Sequence, residues 1–190
     1  MATATADVRV SRPSTMRLLF SLFTSPRLVF QEHLAAVPAA LCLLISGLAF
    51  SLFYLQTGLD VGRKDPNGLV YALALGVLGL AVGSAGVGLL ATIAWLFARP
   101  CGGNQPLGWA VRAFALSYAP ALLYAALGVA ANLLLGWNTS LAFGVTGVLW
   151  ALGPMLVAIR EMTGQRTGLS VIIATICGAL MLVGWALIVS

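Results

Sequence analysis

Acidic side chains are nearly missing from this chain. Five Asp and Glu stand against ten Lys and Arg in 190 residues, and charged residues make up 8% of the total. A soluble domain carries about 25%. With 61% hydrophobic residues and a mean hydropathy of +1.01, there is too little polar surface to face water, so lipid is the expected solvent. Histidine and cysteine are equally thin. His33 and three cysteines (Cys42, Cys101, Cys177), with no short spacing among them, exclude a disulfide framework and a zinc site. Cys42 and Cys177 fall in apolar runs and read as small hydrophobes between helices. His33 beside Glu32 reads as a polar rim at the membrane surface. The net charge of +5 is scattered rather than gathered on one continuous face, which excludes nucleic acid as a partner.

The acids, Asp7, Glu32, Asp60, Asp65 and Glu161, are all placed outside the apolar runs, and no base lies deep in one. Proton-coupled carriers put an ionisable group near the bilayer midplane. Hydrolysis inside a membrane needs a Ser/His set, paired Asp or a metal. Neither arrangement can be assembled, so the sequence predicts no catalytic residue, no metal, no cofactor and no enzymatic activity.

What the chain has is apolar length. Five spans are expected at about 34–55, 69–97, 113–135, 141–159 and 169–189. The expected fold is all-α: a polytopic membrane protein with five transmembrane helices and an N-terminal interfacial amphipathic helix. Residues 1–33 form the cytoplasmic tail and interfacial helices, and residues 34–190 the membrane domain, as one helical unit. The third run, Ala113 to Leu135, would be about 34 Å long, enough to cross a core of about 30 Å. The second, Leu69 to Phe97, would be about 43 Å, so it must tilt, bend or project. Its Gly79 with Gly83, and Ser84 with Gly88, have the spacing of close helix packing, and this span is expected to sit centrally. Gly83 to Gly88 faintly echoes a nucleotide loop but follows no strand and lacks a lysine, so helix packing is the better reading.

Met1 to Pro13 is polar and does not read as a cleaved signal peptide. Met16, Leu19, Phe20 and Phe23 share a helical face, and Arg12, Arg17 and Arg27 flank it. That pattern suits a helix in the headgroup plane, or a docking helix for a protein partner. Arg9, Arg12, Arg17 and Arg27 are candidate contacts for anionic lipids, each adding about 1 kcal/mol of attraction. Ser25-Pro26 opens a second interfacial helix, with a cap residue and then proline at the first position. Pro38 marks the turn into the membrane. Eight arginines, at 9, 12, 17, 27, 99, 112, 160 and 166, fall on one side of the predicted spans, and only Arg63 and Lys64 on the other. The positive-inside rule therefore expects a cytoplasmic N-terminus, with Ser190 outside the inner membrane of a bacterium.

Two prolines interrupt predicted spans at matching depth, about 8–10 Å from the cytoplasmic end. Pro120 removes the bond to the Leu116 carbonyl and Pro154 the bond to that of Trp150. Ser117, Tyr118 and Tyr124 lie near the first, and their hydroxyls are candidate donors to freed carbonyls. The pair reads either as packed kinks or as a cytoplasm-facing cavity between spans three and four. Asn132, near the outer end of span three, reads as an interhelical or interfacial hydrogen-bonder rather than a ligand group.

Three features in order resemble the Yip family, the Ypt-interacting proteins of eukaryotes and their short bacterial relatives. They are Pro26 to Phe30 ahead of Pro38; Gly102-Gly103, a short helix and Ser117-Tyr118-Ala119-Pro120; and Trp137 in a hairpin followed by Trp150 and a polar loop. The resemblance implies a five-helix fold with a cytoplasmic N-terminus, and eukaryotic members are linked to Rab GTPases and vesicle traffic. For this chain the expectation is a membrane-organising or partner-scaffolding role, with the bilayer, a membrane-protein partner or a second copy as partners. The alternative is a carrier or channel for a small apolar or lipid-like solute.

Overall fold

The computed structural model describes residues 21, 22 and 24–189. Most of the expected amphipathic helix of residues 14–23 lies outside them. The chain arrives through an α-turn at Pro26–Leu28, a π-turn at Val29–His33 and a 3₁₀ turn at Leu34–Ala36. Val29, Phe30 and Leu34 are buried, so this lead-in segment is part of the packed body. Pro38 is extended and caps the next helix, so the chain turns there.

Five helices follow that are long and apolar enough to cross a membrane: α1 (Ala39–Gly62), α2 (Gly68–Cys101), α3 (Leu107–Leu135), α4 (Ser140–Met162) and α5 (Thr167–Val189). The described residues contain no strand. The fold is all-α and polytopic.

Three expectations are corrected. The first span is displaced: residues 34–37 precede α1, and α1 continues through Gln56 to Gly62, a stretch expected in a loop. Polarity did not end the helix because its polar side chains find partners. Thr57 Oγ1 donates to the Phe53 carbonyl at 3.1 Å, and Gln56 Nε2 to the Ala125 carbonyl of α3 at 2.9 Å. Asp60 is carried into the same helix and is only 9% exposed.

The second correction concerns the hub. α1, not α2, is central: half of its apolar window is buried, against 28% for α2. α1 brings Phe50, Phe53 and Tyr54, all buried. Phe53 stacks on Trp185 of α5 at 5.1 Å, and Phe50 meets Tyr118 of α3 at 5.1 Å. α2 presents one narrow small-residue stripe to this hub and turns Leu73, Val77, Leu89 and Leu96 outward. Gly79 and Gly83 lie where a Cβ would overlap the Phe50 carbonyl and the Phe50 Cβ, and Ser84 Oγ donates to the Leu43 carbonyl at 3.3 Å. Gly88 makes only ordinary contact with Leu43. A π-turn at Val82–Gly86 bends α2 within its excess length.

The third correction is at Pro120. It is not a kink inside one helix. α3 is two helices, Leu107–Leu116 and Ala119–Leu135, joined at Ser117-Tyr118, and Pro120 stands in the first turn of the second. Proline is tolerated there because first-turn amides have no helical acceptor. Pro154 does lie inside its helix.

Candidate functional site

The two ends of the bundle handle polarity differently. At the end where α1 turns into α2, Asp60 faces the start of α4. Its Oδ2 accepts from the Thr139 amide at 2.9 Å and the Ser140 amide at 2.8 Å, and its Oδ1 accepts from Asn132 Nδ2 at 2.5 Å. A carboxylate on α1 therefore satisfies the first free amides of α4, where the helix dipole also favours negative charge. One turn on, Arg63 is 3.9 Å from Asp60 and donates to the Gly136 carbonyl, to the Trp137 carbonyl at 2.8 Å and to Asn132 Oδ1 at 3.3 Å. Gly136 has φ +67°, the left-handed stop that brings its carbonyl to the guanidinium. Asn132, expected as an interhelical hydrogen-bonder, bridges α1 and the α3–α4 turn. Asp60 and Arg63 were missed as a functional pair, although their i, i+3 spacing at the end of an apolar run was a usable signal.

The opposite end gathers the lead-in segment, the α2–α3 loop and the α4–α5 loop. Gly102, at φ +94°, ends α2 in a conformation that suits glycine. Gly103 lies against the Met162 carbonyl, where a Cβ would overlap backbone. Trp109 donates its indole N–H to the Phe30 carbonyl at 3.3 Å and meets the Phe30 ring edge-on at 6.3 Å. Arg27 lies 3.5 Å from Glu161, which also accepts from Gln31 at 3.1 Å and Gln165 at 2.9 Å. The Arg99 guanidinium sits 5.0 Å from the centre of the Trp95 ring. The Nε atoms of Arg112 and Arg160 are buried without a hydrogen-bond partner among the described residues.

Beside this polar end is a cavity of about 280 Å³ lined by Leu22, Pro26, Pro120, Trp150, Gly153 and Pro154. Pro120, Trp150 and Pro154 were candidates from the sequence, and the fold brings all three to one cavity between α3 and α4, roofed by Pro26. Ser117 and Tyr118 do not line it. Ser117 Oγ turns back to the Ala113 carbonyl at 2.7 Å. Tyr118 points into the core, and its hydroxyl has no hydrogen-bond partner among the described residues. Hydroxyls in the cavity are thus not what the structure offers; its wall is hydrocarbon, proline and the Trp150 ring, which stacks on Tyr124 at 5.9 Å. Among the described residues no group of three His, Cys, Asp or Glu gathers to hold a metal. No family model, curated protein or solved structure matches the chain.

Proposed function

We propose that this chain is a non-enzymatic integral membrane protein, a short bacterial-type member of the Yip family, that organises lipid or a membrane-protein partner at its arginine-rich face. The face looks into the cytoplasm and the protein resides in the inner membrane. The observation that carries this reading is the contrast in satisfaction between the ends. Around Asp60 and Arg63 the charges are used up in holding helices together, whereas the Nε atoms of Arg112 and Arg160 have no acceptor among the described residues. A bundle that needed those arginines only for its own stability would have paired them. Deleting residues 1–20, which removes Arg9, Arg12 and Arg17 and stops short of Leu22, should weaken retention of anionic lipid or of a captured partner while leaving insertion intact. Unchanged retention would count against the reading.

A second reading, a carrier for a small apolar or lipid-like solute, is supported by the cavity at Pro120, Trp150 and Pro154. Flux measured in liposomes holding the purified protein separates the two. Solute movement above that of empty liposomes supports the carrier.

A further inference from the structure

The geometry points to a discrete site for one anionic phospholipid at the arginine-rich end, with an acyl chain in the proline-lined cavity and the phosphate at Arg160 and Arg27. The site rests on the reading of that face as lipid-organising, and it names the ligand.

Two neighbouring hollows make the case. The cavity of about 280 Å³ is apolar, and is nearly twice the roughly 150 Å³ of an engineered cavity that admits benzene. Next to it is a polar notch of about 70 Å³ lined by Arg27, Val157, Arg160, Glu161 and Gln165. The two draw their walls from the same two stretches of chain. Pro26 lines the cavity and Arg27 the notch. On α4, Gly153, Val157 and Arg160 fall at i, i+4 and i+7, one stripe that runs about 10 Å from cavity to notch. An amphiphile laid along that stripe puts hydrocarbon against Gly153 and Pro154 and its headgroup against Arg160.

Charge fits as well. The notch holds two guanidinium groups and one carboxylate. Glu161 is already engaged by Arg27, Gln31 and Gln165. That leaves one positive charge in excess, matching a phosphodiester of charge −1. Arg160 lines the notch, and its guanidinium is a donor that suits a phosphate oxygen.

Gly153 supplies the test variant, because a Cβ built there meets nothing within 4 Å. A leucine at that position fills the cavity without pushing on backbone. Full-length protein is purified in mixed micelles doped with equal phosphatidylglycerol and phosphatidylcholine, and retained lipid is counted by native mass spectrometry. Wild type should retain one phosphatidylglycerol about fivefold over phosphatidylcholine. R160Q should bring the two lipids to parity, and G153L should lose both. Equal retention of both lipids by wild type overturns the site, as does indifference to both variants. If G153L does not fold, Trp150 reports instead. Phosphatidylglycerol with brominated chains should quench wild type more than W150F, and equal quenching overturns the site. If deleting residues 1–20 still lowers bulk anionic-lipid retention while R160Q and G153L do nothing, the discrete site fails and the broader reading survives. If none of the three changes retention, both fail.

Discussion

The Asp60–Arg63 end and the Arg27–Arg160 end carry similar residue types to opposite effect. At the first, an acid in the last turn of α1 and a base just past its end reach the α3–α4 turn, and the acid is almost wholly enclosed. At the second, Glu161 is 14% exposed but the Arg27 side chain that pairs with it is 67% exposed, and the Nε atoms of Arg112 and Arg160 have no acceptor among the described residues. Burial makes the difference. An enclosed charge that loses its partner has no water to turn to, so its network must be complete. A pair with one partner in water is screened and contributes less. The first end is built as a lock, and the second leaves one member of its ion pair in the open.

That comparison can be broken from either side. The largest effect should come from Asp60→Ala, which leaves the Thr139 and Ser140 amides and the Asn132 Nδ2 without their carboxylate acceptor. Unfolding followed by circular dichroism in a denaturing-detergent titration should show a loss of about 3–5 kcal/mol. A loss under about 1 kcal/mol would show that water reaches the site and that it is no lock. Gly103→Ala comes next. It presses a methyl into the Met162 carbonyl and should cost about 1–3 kcal/mol in the same titration. A neutral outcome would mean that the α2–α3 loop is not held against α4. Asn132→Ala, which deletes one bridge but leaves Asp60 its two amides, should cost about 1–2 kcal/mol. Glu161→Ala should cost less than about 1 kcal/mol, because its partners at that end are exposed or replaceable. If Glu161→Ala matched Asp60→Ala, the two ends would be equivalent and the contrast would be void.

Much of the fold was legible for one reason: a helix that must hide its backbone from lipid announces itself by length and lack of charge. The spans from Leu69, Ala113, Leu141 and Leu169 fall inside helices α2 to α5. The reading failed where a polar residue was treated as the end of a span. Gln56 and Thr57 are polar, yet α1 runs past them because Ala125 and Phe53 offer carbonyls. It failed again at Pro120, since the same residue breaks a helix from within or begins a new one, and only the Ser117-Tyr118 turn decides which. Of the candidate site, Pro120, Trp150 and Pro154 could be matched by depth alone. Arg160 and Gly153 could not, because what sets them apart is the lead-in segment laid across α4.

By itself the amino-acid order determined the solvent, the number of apolar helices and the exclusion of charge from their apolar runs. Those follow from transfer free energies summed along short stretches, and a stretch does not need to know its neighbours to exclude charge. The tertiary structure alone decided that α1 is the hub, that Asp60 serves the start of α4, and that Pro120 and Pro154 line one hollow. Each of these depends on which carbonyl, ring or guanidinium from a distant part of the chain comes within a few ångströms, and that distance is set only when the helices pack.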